Sequence, residues 1–371
     1  MKQLISQLNQ FPGRYGAEIR FTLRITVAAL ITYAIVLALE IPQGFWAVIT
    51  AVLVVQANLG GSLKFAADRF IGTLSGAVVG VIAMMLIAHT SPLTQAASMV
   101  IALLPLGFIA ALNQSMRIAP LTALIVMLVA THSDPISSAI ERIAGIVIGD
   151  VVGVLVALLF LPARASNQLT DATGELLAGL AALADLLRRG LAGEQIGNDI
   201  HRQHESLRKT LKKIDDYADA ARRERHHHLW SGPEPEPLVR TVNRLRNDLI
   251  TLGRVANGMA ADQRTIPIPS LAQAVDAVMV AGRDFLTEAG HRIKEGGIGP
   301  SLEAFAAALD LLKAERASIR RGPRAGEIDR ETAATLSVLV FSFEQFEKDA
   351  ADLAARVNEM AGPVAKTDGR T

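Results

Sequence analysis

Three charged side chains and two series of glycines lie in the most apolar part of this 371-residue chain. Charge is rare there, since residues 1–162 contain only eight Lys/Arg and six Asp/Glu. Arg69, Arg142 and Asp150 nevertheless stand beside or inside apolar runs. A guanidinium pairs with a carboxylate through two parallel hydrogen bonds, and a carboxylate at membrane depth can relay protons. Arg69 and Arg142 are therefore candidates for binding an organic anion, and Asp150 for proton coupling.

Each of these charges also has a structural explanation. Arg69 and Arg142 could extend to lipid headgroups, and Arg69 could simply mark the cytoplasmic side of a membrane. Asp150 could be a protonated or hydrogen-bonded group that ties two helices together. An ionisable group at mid-bilayer costs at least about 2.5–3.5 kcal/mol, so it requires a buried partner or a wet pathway.

The glycine series occurs twice, first after Asp68-Arg69 and again after Glu141-Arg142. Glycines at every fourth position share one helical face and allow close helix packing. The repeated unit holds three predicted helices, an odd number, so the second copy would enter the membrane inverted, as in many transporters. Arg69 would then lie at the cytoplasmic end and Arg142 at the outer end. Chance similarity between common glycine series is the alternative. The helix-packing glycines are Gly72, Gly76 and Gly80 in the first copy and Gly145, Gly149 and Gly153 in the second.

An all-α fold is predicted, with a six-helix transmembrane domain over residues 1–162 in two inverted three-helix repeats. No Asp, Glu, Lys or Arg lies between Phe70 and Met116, which favours helices in lipid over a soluble core. Short loops on one side carry most of the Lys and Arg, which predicts cytoplasmic N- and C-termini in a multi-pass membrane protein. Turn-forming clusters such as Gly60-Gly61-Ser62 separate the apolar runs. The predicted spans are 22–40, 44–59, 69–89, 93–113, 118–132 and 140–162.

Residues 163–361 change to charged amphipathic helices, which predicts a cytoplasmic helical bundle, and 362–371 form a disordered tail. Leu336 to Met360 repeat apolar residues in steps of three and four, the pattern of a bundle or coiled-coil seam that could support a homodimer. The segment PEPEP at 233–237 is expected to be a stiff linker. The predicted helices are 165–192, 198–229, 235–261, 270–295, 300–320 and 328–361.

Several uncharged polar or aromatic residues at the predicted span ends are further candidates for substrate contact. Gln56, Asn58 and Asn113 could line a vestibule, although helix capping and turn formation explain them as well. Trp46 could stack on a planar substrate or anchor its helix at the membrane interface.

Several function classes lack their sequence signatures. The chain has no cysteine, no GxxxxGK[ST] phosphate loop, no nucleophile elbow and no HExxH motif, so we expect neither an enzyme nor an ATP-driven pump. Consecutive residues on a helix point in different directions, so His226-His227-His228 indicates a solvated helix end. We expect no metal and no cofactor, and the formal charge of +1 gives no indication of nucleic-acid binding.

The segments FWAVITAVLVVQ (45–56), DRFIGTLSGAVVG (68–80) and ERIAGIVIGDVVG (141–153) resemble the fusaric acid resistance (FUSC) and aromatic acid exporter family. The resemblance implies a proton-driven inner-membrane exporter of aromatic or related organic acids, often beside a membrane-fusion subunit. Many exporters of this family have a second membrane block, whereas this chain has one, so a homodimer is expected. The partners expected are thus the lipid bilayer, a small organic anion, a second copy and possible accessory subunits.

Two other function classes stay open at this stage. The plant aluminium-activated malate channels are similar in layout, so a dimeric anion channel is the first alternative. A non-transporting membrane scaffold whose cytoplasmic helices bind partners is the second.

Overall fold

The computed structural model describes residues 16–87, 91–129, 135–262, 264–321 and 328–361, and all regular structure within them is helical. The all-α prediction is therefore confirmed for these residues. The chain divides into two compact units, Met1–Arg164 and Ala165–Thr371. The boundary predicted after residue 162 lies two residues earlier, and the predicted tail 362–371 lies outside the described residues.

The first unit is built from apolar helices joined by short connections. A single 3₁₀ turn, Gln114–Met116, lies between the fourth and fifth of them. Its helices are α1 Gly16–Ala38, α2 Phe45–Val54, α3 Leu59–Leu86, α4 Pro92–Leu112, α5 Ala119–Val129 and α6 Pro135–Leu159.

Among the described residues, four helices (α1, α3, α4 and α6) are long and apolar enough to cross a membrane. Helices α2 and α5 have only 10 and 11 residues. At 1.5 Å per residue they extend about 15–17 Å, roughly half of a hydrocarbon core. The prediction that 44–59 and 118–132 are full spans is thus not met, because the helix in the first of these segments ends at Val54 and the chain turns extended at Val55.

Helix α3 begins at Leu59, so the predicted break at Gly60-Gly61-Ser62 is wrong. The side chain of Asn58 caps the helix by accepting a hydrogen bond from the Gly61 N–H at 2.7 Å. The Ser62 hydroxyl accepts another from the Gln56 N–H at 2.9 Å. The two glycines therefore lie in the first turn of the helix, which moves Arg69 about 15 Å along α3 from its start.

The repeated glycines form two close helix contacts. A Cβ at Gly76 of α3 would lie 2.2 Å from the Ala119 carbonyl oxygen of α5, and one at Gly149 of α6 would lie 2.4 Å from the Ala47 carbonyl oxygen of α2. Backbones can approach this closely only where the side chain is a hydrogen atom. Gly76 and Gly149 therefore pack directly against the backbone of a neighbouring helix.

The order of contacts gives the direction of the helices. Along α6, Gly145 faces Trp46 and Ala47, and Gly153 faces Ala51 and Val54. The residue numbers of the contacting positions increase together along both helices, so α2 runs parallel to α6. Along α3, the partners of successive glycines likewise rise from Ser115 to Ala123, so α3 runs parallel to α5.

The two short helices, α2 and α5, share a sequence pattern. The number of residues that separates its two copies differs from the number that separates the two glycine series. Ala47-x-x-Thr50-Ala51-x-x-Val54 in α2 corresponds to Ala-x-x-Thr-Ala-x-x-Val at 119–126 in α5. This offset is shorter by one position than the offset that relates Gly76 to Gly149. When the sequence is compared with itself at the offset of the glycine series, α2 and α5 are out of register by one residue. Their similarity is therefore missed at that offset.

The second unit is a helical bundle whose boundaries follow the sequence pattern closely. One apolar core runs through it and includes residues of all its helices. Its helices are α7 Ala165–Leu191, α8 Gly197–His226, α9 Pro235–Ala261, α10 Pro269–Glu295, α11 Glu303–Arg321 and α12 Arg330–Ala361.

Two expectations for this unit need correction. Helix α9 begins at Pro235, so the second half of PEPEP forms its first turn and only Pro233 and Glu234 precede it. Proline is well tolerated there because the first N–H groups of a helix have no partner within it. The apolar seam of α12, from Leu336 to Val357, is buried in the core of its own chain. It therefore offers no face for a second copy.

Candidate functional site

Four charged side chains of the first unit are buried. Arg24, Arg69, Arg142 and Asp150 are 1%, 6%, 5% and 8% exposed. The described residues of this unit thus include three buried cations and one buried carboxylate, a surplus of two positive charges. An uncompensated buried charge costs several kcal/mol, so these arginines need anionic partners. Burial also excludes the explanation that Arg69 and Arg142 extend to lipid headgroups.

Arg69 lies about 15 Å along α3 from its start, so it is not at the end of that helix as predicted. Its Nε donates a hydrogen bond to Thr50 Oγ1 of α2 at 3.1 Å. Arg69 also interacts electrostatically with Asp150 of α6. Thr50 packs directly on Gly149, the residue before Asp150. Arg69, Thr50 and Asp150 therefore form one buried cluster where α2, α3 and α6 meet.

Arg142 lies under the aromatic ring of Trp46. Its guanidinium carbon is 4.2 Å from the ring centroid, which is a cation–π contact. Its Nε and Nη1 have no hydrogen-bond partner among the described residues. Arg142 and Arg69 are close enough to repel each other electrostatically. The two arginines, predicted at opposite ends of the membrane domain, are thus neighbours in one site.

Asp150 is present in the site without a hydrogen bond. Both of its carboxylate oxygens are buried and accept none from the described residues. The nearby positive charge of Arg69 favours an ionised carboxylate, whereas removal from water favours the protonated form.

The uncharged amides have local structural roles. Asn58 caps α3, as described above, and the Gln56 side chain donates to the Leu53 carbonyl oxygen at 2.6 Å. The Asn113 side chain accepts from the Ser115 N–H at 3.0 Å. Capping and turn formation account for these three residues, so we do not include them in the candidate site.

Two functional candidates were not found from the sequence. Thr50 looks like an ordinary residue of an apolar helix, although its recurrence as Thr122 in the matching pattern of α5 is a signal. Arg24 lies at the predicted start of the first span, where membrane orientation is the ordinary explanation of a basic residue. Its spacing with Ala28 and Thr32, the other buried residues of α1, marks it as an inward-facing side chain.

Among the described residues, no group of three or more His, Asp or Glu side chains is arranged to hold a metal ion. The model of the fusaric acid resistance protein family matches residues 18–370, nearly the whole chain. No curated protein matches the sequence.

Proposed function

The chain belongs to the fusaric acid resistance (FUSC) family of membrane proteins, and from that premise we propose that it exports aromatic carboxylic acids together with protons. Membership in this family is consistent with a role in efflux or transport, without specifying the substrate. The observation that supports this proposal is the surplus of positive charge in the central site, where Arg69 and Arg142 are buried with Asp150. A substrate carboxylate entering this region supplies the negative charge that the unit lacks.

The aromatic preference rests on Trp46 and Arg142. Arg142 offers unpartnered Nε and Nη1 groups, and Trp46 presents a ring beside them. An aromatic acid can place its carboxylate on the guanidinium and its ring against the indole. An aliphatic acid of similar size can make the same contact with the guanidinium, but its contact with the indole is weaker.

Proton coupling follows from competition for the arginines. In the empty site, Asp150 is the buried carboxylate that interacts electrostatically with Arg69. When a substrate carboxylate binds, a second negative charge arrives in the same apolar region, which favours a protonated Asp150. Release of the substrate restores the ionised carboxylate. Anion binding and proton uptake are thereby linked at one side chain.

Two inverted repeats, α1–α3 and α4–α6, provide the means to open the site to either side. Helix α2 runs parallel to α6 and α3 parallel to α5, and the Arg69–Thr50 hydrogen bond requires α3 to fold back along α2. Helices at equivalent positions of the two repeats then run in opposite directions, which supports inversion. The short helices α2 and α5 resemble the discontinuous helices that line transporter sites.

The remaining features of the proposal rest on charge distribution and on the family. We place both termini in the cytoplasm and the protein in the inner membrane, with Lys2, Arg14, Arg20 and Arg117 on the inner side. A homodimer and a membrane-fusion subunit remain proposed partners. A dimer would have to use a surface other than the buried seam of α12.

Transport against a gradient in proteoliposomes tests the proposal. An acidic exterior and an alkaline lumen should drive 4-hydroxybenzoate into the lumen faster than it enters protein-free liposomes, which measure passive diffusion of the neutral acid. Asp150→Asn should exchange labelled substrate at equal pH but should not exceed the protein-free rate under the pH gradient. Glu18→Gln, which removes an exposed carboxylate of α1, should behave as wild type. Dissipation without accumulation in the wild type would instead identify an anion channel, and absence of flux a scaffold.

A further inference from the structure

Arg24 is the most deeply buried charge of the first unit, and it lies away from the cluster around Arg69. Its side chain is 1% exposed, and its Nη2 donates to the Ala57 carbonyl oxygen at 3.3 Å. Ala57 belongs to the connector between α2 and α3. Along the chain, Ala57 follows Thr50 after one turn of α2 and three extended residues, a length of about 15 Å.

The donors of Arg24 are largely unused. Its Nε and Nη1 are buried and have no partner among the described residues, and no ion pair of Arg24 is present among them. The first 15 residues of the chain contain no Asp or Glu, so that segment cannot supply a carboxylate. A guanidinium carries five N–H donors in a planar fork, and one long hydrogen bond to a carbonyl leaves most of them unsatisfied.

The surroundings of Arg24 add positive potential. Arg20 is one turn earlier on α1 and repels it electrostatically. The connector beside it leads into the N-terminus of α3 at Leu59, where the helix dipole adds a partial positive charge. The Phe21 ring is 5.9 Å from the guanidinium carbon and provides an apolar wall.

The two halves of the unit differ at this position. The buried residues of α1 are Arg24, Ala28 and Thr32, and those of α4 are Ser98, Ala102 and Leu106, at the same spacing. The second half thus carries a serine where the first carries a buried arginine. In the part of the chain that the structure describes, Arg24 therefore has no buried cationic counterpart in α4. It lies beside the connector that precedes Leu59, whose N–H donates to the Ala163 carbonyl oxygen.

We propose that Arg24 is the binding group of a second, separate subsite for an organic carboxylate at this end of the unit, with Phe21 beside the bound anion. This inference rests on the proposed function, which brings such anions to the protein. The subsite loads substrate from one side before it reaches Arg69 and Arg142. Because the second half lacks an equivalent arginine, no matching subsite holds the anion at the opposite end.

Two fluorescent reporters test this proposal by binding, independently of transport. Trp46 and Trp230 are the only tryptophans, so Trp230→Phe leaves Trp46 as reporter of the central site. The triple variant Phe21→Trp, Trp46→Phe, Trp230→Phe reports on the Arg24 subsite. Benzoate should quench both reporters saturably. Arg24→Gln should weaken binding at the Phe21→Trp reporter at least about tenfold and leave the Trp46 titration unchanged.

The controls separate this subsite from the central site. Arg20→Gln removes the same charge from an exposed position one turn away and should change affinity at the Phe21→Trp reporter by less than Arg24→Gln does. Arg24→Lys keeps the charge without the fork and should weaken binding there too, which provides a readout if Arg24→Gln does not fold. A silent Phe21→Trp reporter, or equal effects of Arg20→Gln and Arg24→Gln, would overturn the subsite. Quenching at the Phe21→Trp reporter with a silent Trp46 would instead refute the central site and leave the subsite standing.

Discussion

The guanidinium carbon of Arg142 lies 4.2 Å from the centre of the Trp46 ring, inside an apolar helical unit. The indole face stabilises the buried charge, by about 2 kcal/mol where water is excluded. It makes no hydrogen bond to the guanidinium fork, so Nε and Nη1 stay available. The indole therefore stabilises the guanidinium only in part and leaves two of its N–H groups for a carboxylate.

Replacing Trp46 should reduce selectivity for aromatic substrates. Trp46→Leu removes the ring that we place against the substrate, so affinity for benzoate should fall several-fold relative to hexanoate. Phe45→Leu is the matched control, because Phe45 is adjacent but 55% exposed. Competition of both acids against labelled 4-hydroxybenzoate transport measures the ratio. Equal losses for benzoate and hexanoate would contradict the stacking role.

The glycine contacts should be intolerant of a single methyl group. Gly149→Ala places a Cβ 2.4 Å from the Ala47 carbonyl oxygen and should destabilise the protein by about 1–3 kcal/mol. Gly107→Ala is the control, since nothing lies within 4 Å of its added Cβ within α4. It should leave stability unchanged or raise it by about 0.5–1 kcal/mol. Thermal unfolding in detergent compares the two, and equal melting temperatures would refute close packing at Gly149.

In the second unit, Glu224 of α8 should hold the start of α7. Its two carboxylate oxygens accept from the Ala165 N–H at 2.9 and 3.1 Å, and Glu224 is 1% exposed. Glu224→Ala leaves that N–H without this acceptor and should cost about 1–3 kcal/mol. The fluorescence of Trp230, which packs against Ala165, can follow unfolding in a Trp46→Phe background. Glu205→Ala, an exposed site on the same helix, should have little effect, and a similar loss there would refute the specific role of Glu224.

Asp248 should make the stability of the second unit depend on pH. Burial and the neighbouring Asp349 raise the pKa of Asp248 from 3.8 to about 7. Its folded state therefore holds a proton that its unfolded state releases, so its contribution to stability is present below pH 3.8 and is lost as pH rises to about 7. Asp248→Asn should be more stable than wild type above pH 7, with the difference falling or reversing toward pH 4. Melting temperatures measured across this range check the sign, and a constant difference would contradict it.

The sequence predicts those parts of the molecule that depend on local pattern. The helices of the second unit follow amphipathic periodicity and Gly-Pro breaks, so Pro235–Ala261 has the predicted ends. Arg69, Arg142 and Asp150 stand out because charge is rare in apolar runs. Asn58 and Gly61 show the limit of such patterns, because a Gly-Gly-Ser sequence favours a turn unless a capping side chain starts a helix before it.

Contacts between distant residues are less accessible from pattern alone. The periodicity of α12 shows which face is apolar but not whether that face packs on its own chain or on another. The proximity of Arg69 and Arg142 depends on the helix start at Leu59, which the turn-like sequence obscures. The burial of Arg24 could likewise be recognised only from the fold, because a basic residue near the start of a span is ordinarily explained by membrane orientation.

Proton uptake on substrate binding tests the central claim most directly. The detergent-solubilised protein, in weakly buffered solution with a pH indicator, is titrated with benzoate that has been adjusted to the same pH. Competition between the substrate carboxylate and Asp150 for the arginines predicts uptake of up to about one proton per benzoate bound by the wild type. Asp150→Asn should bind benzoate with no proton uptake. Equal uptake by both proteins, or binding by the wild type without any uptake, would contradict the account.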